Sequence, residues 1–242
     1  MAKLFNNIRK QLVSEKPSVS RTSNYLKYAI GEIVLVVIGI LIALQINNWN
    51  ENQKLRKEET KLLNALVKEI ESNIAVVDTT IKNNDTILKM SSRSLKKGLA
   101  NPNVNLTAVE MIASLGYNTN KYETSIINEI LETNAKALIS NDETIAQLRT
   151  LKQAYNRSDN TQFYADEFWN SKVTDYFTRS GLGVYIGTVK VNKSYDIDTP
   201  LKKEFYSLLG IMNGYQYGLL LSRQDLREEL NKTLSFLKTQ KP

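Results

Sequence analysis

The sequence predicts an all-α protein in which one N-terminal transmembrane helix is followed by an antiparallel bundle of long helices. Three observations support this fold class. Residues 33–44 form an unbroken apolar run, apolar residues recur at heptad spacing from Leu63 onward, and leucines at helical spacing run through residues 205–237. The chain then divides into a basic cytoplasmic tail (1–27), a transmembrane helix (28–48) and an extracytoplasmic helical-bundle domain (49–242).

The apolar run has the boundaries of a membrane span. Together with the residues beside it, the run approaches the roughly 20 residues that cross the hydrocarbon core. Tyr25 and Tyr28 at one end and Trp49 at the other are predicted interface anchors, because aromatic side chains favour the headgroup region. No small-x-small cleavage site follows at 43–47, so the segment is predicted to be a retained signal anchor and not a cleaved signal peptide. A buried soluble helix is disfavoured because every face of the run is apolar and the chain offers no other segment of comparable apolarity to cover it.

The orientation of the span follows from its flanks. Six Lys/Arg precede it, and Lys54, Arg56, Lys57 and Lys61 follow it closely. Long C-terminal domains cross largely regardless of charge, whereas moving a short basic tail outward is disfavoured. We therefore predict a bacterial inner-membrane protein whose N-terminus is cytoplasmic and whose C-terminal domain is periplasmic.

Four residues of the span invite functional interpretation. Glu32 lies about one turn inside the cytoplasmic boundary, where a carboxylate either serves an ion or proton path or reaches the interface near Lys27. Gly39 and Ala43 form a small-xxx-small pair, and Gly31 lies on a similar face, a pattern that allows two helices to approach closely. Self-association through this face and ion coupling through Glu32 are both retained as hypotheses.

The composition restricts the chemistry of the chain. There is no cysteine and no histidine among the 242 residues, which excludes disulfides, thiolate nucleophiles, Cys- or His-based metal sites and His-dependent triads. Carboxylate, Ser/Lys and oxygen-ligated cation chemistry remain, and each requires groups that converge in a pocket. We predict that the protein is not an enzyme, with no catalytic residue, no cofactor and no metal.

The net charge of +7 does not indicate nucleic-acid binding. Residues 1–50 hold six basic and two acidic residues, which leaves 26 of the 32 basic and 23 of the 25 acidic residues for the rest of the chain. These charges are interspersed as on an ordinary solvated surface, without a basic stripe. The lipid bilayer is therefore the predicted partner of the basic tail, and no nucleic-acid partner is expected.

The bundle domain is predicted to begin with a long helix of coiled-coil character. One heptad position is apolar throughout, whereas the other becomes polar at Asn84 and Ser91, which predicts a change from deep packing to a more exposed seam. Gly98 and residues 101–103 (Asn-Pro-Asn) end the helix.

The middle of the chain is predicted to return as shorter helices. Thr107 and Glu110 form a capping box for an element that stops near Gly116, and a further helix covers 123–139. Ser140 and Glu143 form a second capping box, which starts a helix that runs on towards Gly181 with an interruption near 156–160.

The last part of the bundle contains a loop and a final helix. Alternating apolar residues predict at most a short strand or hairpin near 184–191. Thr199-Pro200 then opens a long amphipathic helix, and four passes with short connections pack most simply as an antiparallel bundle. Thirteen of the 20 aromatic residues lie between Tyr155 and Tyr217, and aromatic residues at helical spacing indicate a core more often than a ligand pocket.

Residues 27–50, with the sequence KYAIGEIVLVVIGILIALQINNWN, resemble the start of a bacterial family of single-span membrane proteins, the domain-of-unknown-function family numbered 6090. A second similarity covers 122–155, where the family has an aromatic-led helix, a polar turn and the next helix. The resemblance implies a membrane anchor and a mostly helical domain, and it assigns no activity and no catalytic residue.

Three functional hypotheses follow. The first is a non-enzymatic interaction domain, as a homo-oligomer or as an accessory to an envelope complex, because long amphipathic helices offer contact surfaces. The second is a membrane-tethered sensor or ligand-binding bundle, motivated by the aromatic residues. The third is an ion- or proton-coupled membrane subunit that uses Glu32.

Overall fold

The computed structural model describes residues 19–101, 104–186, 195 and 199–239, and in these ranges the chain is helical with no strand. The α-helices are α1 (Val19–Ala100), α2 (Ala108–Ser114), α3 (Ser125–Glu132), α4 (Asp142–Phe168), α5 (Thr174–Ser180) and α6 (Thr199–Thr239). Two 3-10 turns (Asn134–Leu138 and Leu182–Tyr185) and one π turn (Trp169–Val173) connect them. The predicted all-α fold class is confirmed.

The chain has two compact units, Met1–Lys57 and Glu58–Pro242. In the described part of the first unit, residues 19–57 are helical, and every described side chain is exposed. In the second unit, helices pack around two apolar clusters. One cluster joins the 66–81 part of α1 to α3, α4 and the end of α6, and the other joins α2, α5 and the start of α6.

The predicted long helix ends where the sequence indicates, because α1 stops at Ala100, just before the Asn-Pro-Asn segment. A Cβ atom at Gly98 would overlap the ring of Tyr206 of α6, so a larger side chain there would require that ring to move. The predicted exposed seam is wrong, however. Asn84 and Ser91 are both fully buried, because partners elsewhere in the bundle cover the position that they share.

The second pass is a broken return, as predicted, but its middle is not helical. The Thr107 capping box forms, with Thr107 Oγ1 accepting from the Glu110 backbone N–H at 3.1 Å. Residues 116–124 then have no regular secondary structure before α3 begins. The helix predicted over 123–139 breaks after Glu132, because Thr133 is extended and its hydroxyl caps the following 3-10 turn.

The third pass starts differently from the prediction. Asn141, and not Ser140, caps α4, and its Oδ1 accepts from Glu143 N–H at 2.8 Å. The backbone N–H and hydroxyl of Ser140 instead donate to Glu59 Oε1 at 2.7 and 2.8 Å. The interruption predicted near 156–160 does not occur, since α4 is continuous to Phe168.

A glycine turn ends this pass. Gly181 terminates α5 with φ of +75°, a left-handed conformation that glycine adopts without steric cost. The sequence allowed at most a short strand or hairpin near 184–191, and its first residues form neither, since Val184 lies in a 3-10 turn. Its remaining residues, 187–191, lie outside the described residues.

The last pass runs antiparallel to α1. Residue numbers fall along α6 as they rise along α1 in three contacts: Lys238 with Glu71 at 2.9 Å, Arg227 with Asp78 at 3.5 Å, and Ser92 Oγ with Asn213 Oδ1 at 3.1 Å. Helix α4 pairs with α6 in the same sense, because Gln147 bonds Thr233 whereas Phe168 packs on Tyr215. The passes therefore alternate in direction, which confirms the predicted antiparallel bundle.

Candidate functional site

The apolar segment of α1 is the first candidate site. Among the described residues, one helix has the length and composition needed to cross a membrane. Its most apolar 18-residue window has a mean hydropathy of 2.6, and no part of that window is buried. A core helix of a soluble protein passes the same test of length and composition, but such a helix is mostly buried.

The predicted site residues of this segment are all exposed. Seven residues separate Glu32 from Gly39 and four separate Gly39 from Ala43, so these three lie close to one helical face. Gly31 lies further round the helix. A Cβ atom at Gly31 or Gly39 would meet nothing within 4 Å.

The predicted interface anchors bracket the segment. Tyr25, Tyr28 and Trp49 are more than half exposed. From Tyr28 to Trp49 the helix rises about 32 Å at about 1.5 Å per residue, which matches a hydrocarbon core of about 30 Å. These three aromatic rings lie where the two headgroup regions of a bilayer would be.

A buried polar layer in the bundle is the second candidate site, and the sequence did not reveal it. We use "polar layer" for Asn84 of α1, Gln162 of α4, and Gln216 and Arg223 of α6. Asn84, Gln216 and Arg223 are fully buried. Hydrogen bonds join the members: Arg223 Nη1 donates to Asn84 Oδ1 at 3.2 Å, and Nη2 donates to Gln162 Oε1 at 3.3 Å.

The polar layer binds the backbone of residues 116–124, which we call the connecting segment because it joins α2 to α3 without helix or strand. Arg223 Nη2 donates to Asn118 O at 2.9 Å, and Gln216 Nε2 donates to Gly116 O. Gln162 both accepts from Asn120 N–H at 3.3 Å and donates to Asn120 O at 3.2 Å. Buried backbone groups outside helices and sheets need such partners, so these side chains supply hydrogen bonds that regular secondary structure would otherwise provide.

Helix α1 forms hydrogen bonds with the end of the connecting segment and with the start of α3. Asn73 bonds Glu123 through both the backbone N–H (2.9 Å) and the carbonyl (2.6 Å). The buried Glu69 carboxylate accepts from Ser125 Oγ at 3.0 Å and from the backbone N–H groups of Ile126 (2.8 Å) and Ile127 (3.3 Å). Because Thr124 makes no side-chain cap, Glu69 supplies the N-terminal cap of α3 from another helix.

Arg223 has an unusual electrostatic setting. No carboxylate lies within ion-pair distance of it among the described residues, and its Nε has no hydrogen-bond partner. Burial lowers the pKa of the Arg223 guanidinium, and the nearby Tyr122 and Asp166 oppose this effect. Both side-chain polar atoms of Asn120 and Oε1 of Gln216 are likewise unpartnered. The layer is therefore polar and cationic between two apolar clusters.

Ten of the 13 aromatic residues between Tyr155 and Tyr217 belong to the apolar clusters or pack against them, as the core interpretation expects. Three are exposed: Phe163, Tyr164 and Tyr217. Tyr155, Tyr176, Phe177 and Phe205 are buried, and ring contacts link three of them, with Tyr176 centred 6.3 Å from Phe177 and 6.2 Å from Phe205. The described side chains contain no group of three or more Asp or Glu residues placed to hold a metal ion.

Comparison with known proteins gives one match. The model of a family described as "Family of unknown function (DUF6090)" matches residues 32–213, well over half of the chain. No curated protein and no solved structure matches. The matched range begins in the apolar segment and ends within α6, so it includes Asn84 and Gln162 of the polar layer. Gln216 and Arg223 lie beyond its end.

Proposed function

The chain belongs to a family of unknown function (DUF6090), and we propose that it is a membrane-tethered, non-enzymatic protein whose helical bundle makes protein contacts. The observation that carries the tether is the unburied apolar helix over 28–48. Leaving so many large apolar side chains in water would be costly, at about 25 cal/mol per Å² of apolar surface. Lipid removes this cost without any protein partner.

The bundle supports an interaction role through its construction. Its polar side chains form hydrogen bonds with the backbone of the same chain: Glu69 caps α3, and Gln162 and Arg223 bind the connecting segment. These groups are thereby committed to keeping a rigid shape, which suits a docking surface. The proposed partner is a second copy of the chain or an envelope protein, in a bacterial inner membrane.

The tether is tested by sedimentation of the full chain. We expect the wild-type chain to remain in the membrane pellet after alkaline carbonate. Ile38→Arg combined with Leu41→Arg should move most of it to the supernatant, because each arginine at the centre of a span costs about 2.5–3.5 kcal/mol. The matched control is Leu99→Arg combined with Val184→Arg, two apolar residues that are each 77% exposed outside the span. A wild-type chain that carbonate releases would refute the tether.

The orientation is tested by thiol labelling, for which the cysteine-free sequence is well suited. A membrane-impermeant maleimide should label Lys172→Cys in intact spheroplasts, because Lys172 lies on the exposed surface of the bundle. Lys3→Cys should be labelled only after lysis, since a basic tail is retained inside. The reverse labelling pattern would show the opposite topology.

A further inference from the structure

Helix α6 carries three glycines that the bundle does not require. Gly210, Gly214 and Gly218 recur every fourth residue, so they lie along one side of the helix. A Cβ atom at Gly210 or Gly214 would meet nothing within 4 Å, and at Gly218 it would make an ordinary 3.7 Å contact with Thr161. None of the three has a positive φ. Glycine inside a helix is destabilising relative to alanine, so its use here needs another reason.

Apolar side chains flank the glycines. Ile211, Tyr217 and Leu221 are 48%, 56% and 44% exposed. The exposed side of α6 carries no charged residue from Ser207 to Leu221. A row of glycines beside apolar side chains is typical of a surface on which a second helix packs closely.

Charges at the two ends of this face identify the second helix. Lys203 precedes Gly214 by eleven residues and Asp225 follows it by eleven, which is about three turns in each direction, so both share the face of Gly214. Both are exposed, and neither forms an ion pair among the described side chains. In an antiparallel pair with a two-fold axis at Gly214, Lys203 of each copy lies opposite Asp225 of the other copy. A parallel pair would instead bring Lys203 against Lys203 and Asp225 against Asp225.

We infer that this face of α6 docks on the same face of a second copy, as an antiparallel pair centred on Gly214. Gly210 then faces Gly218 of the second copy, and Ile211 faces its Tyr217. The contact is isologous, so one surface serves both copies. The inference rests on the proposed function, in which the bundle makes protein contacts, and it names the partner and the surface.

Cysteine crosslinking of the full chain tests the geometry, because the 242 residues contain no cysteine and every thiol is therefore an introduced one. A disulfide needs Cα atoms within about 7 Å, so Gly214→Cys, which lies on the axis, should form a covalent dimer under mild oxidation. Lys203→Cys alone and Asp225→Cys alone should not, whereas the double variant should. Thr79→Cys on the exposed side of α1 is the control and should stay monomeric. The experiment is done in detergent micelles, which keep the apolar segment in solution and let two copies meet in any relative orientation.

Charge exchange tests the ends of the contact. Lys203→Asp or Asp225→Lys should weaken dimerisation about tenfold in Kd, because two attractive contacts become repulsive. The double exchange should restore the wild-type Kd, measured by sedimentation equilibrium. Gly214→Leu should abolish the dimer while circular dichroism confirms that the helical content is retained.

The outcomes separate this inference from the proposed function. Self-crosslinking of Lys203→Cys alone, or the absence of a Gly214→Cys dimer, overturns the antiparallel pair. If the chain still sediments with membranes and crosslinks to another envelope protein, the proposed function stands without it. A chain that is monomeric and recovers no partner overturns both.

Discussion

Replacing Glu69 with alanine is expected to lower the free energy of unfolding by about 3 kcal/mol, because three hydrogen bonds to one buried carboxylate are lost. Ser125 Oγ and the first backbone N–H groups of α3 then have no acceptor. The helix is short and has no cap of its own, so the loss is not compensated locally. The measurement is urea unfolding of the full chain in a fixed concentration of mild detergent, followed by circular dichroism.

Two control variants distinguish a cap from a general charge effect. Glu71→Ala, two residues away, removes only an exposed ion pair with Lys238 and should cost at most about 1 kcal/mol. Glu69→Gln keeps one acceptor oxygen and should lie between the two alanine variants. If Glu69→Ala is no more destabilising than Glu71→Ala, the carboxylate does not stabilise α3.

The local features of the fold could be predicted from the sequence. The end of α1 before Pro102 and the Thr107 capping box depend on residues within a few positions of each other, and both are confirmed. The apolar segment is likewise a property of neighbouring residues. Its length and composition are visible without knowledge of any tertiary contact.

The errors come from partners that are far away in the sequence. Ser140 resembles a helix cap, but Glu59, which lies 81 residues earlier, binds its N–H and hydroxyl. Asn84 appears solvent-exposed within a heptad, yet Arg223, 139 residues later, lies against it in the core. A sequence pattern shows which face is apolar, but it does not show that another helix supplies hydrogen bonds to a polar residue on the buried face.

One feature of the sequence could have indicated the polar layer. Gln216 and Arg223 are seven residues apart and lie within the stripe formed by Met212, Leu219 and Leu226, all fully buried. A polar residue within an apolar stripe is either exposed by an irregularity of the helix or buried with hydrogen-bond partners from other elements. Two such residues at heptad spacing favour the second alternative, because a regular helix would bury both together.

The energetic weight of the polar layer can be measured at Arg223. Arg223→Met is expected to lower the free energy of unfolding by about 3 kcal/mol. Methionine fills a similar volume, but Asn84 Oδ1 and Asn118 O lose the guanidinium N–H groups that donate to them. Each acceptor left without a partner costs about 1–3 kcal/mol. Arg227→Met is the matched control on the same helix. Arg227 is exposed, and its ion-pair partner among the described residues is the exposed Asp78, so this variant should cost at most about 1 kcal/mol.

A double variant shows whether the loss comes from unpaired acceptors or from lost packing. Arg223→Met combined with Asn84→Leu removes the acceptor together with its donor, and replacing buried polar partners by apolar side chains of similar volume is often neutral or stabilising. The double variant should therefore be more stable than Arg223→Met alone in the same urea experiment. If it is instead less stable than the single variant, the layer stabilises the bundle through its packing. If Arg223→Met lowers the free energy of unfolding no more than Arg227→Met does, the hydrogen bonds from Arg223 to the connecting segment contribute little to the stability of the fold.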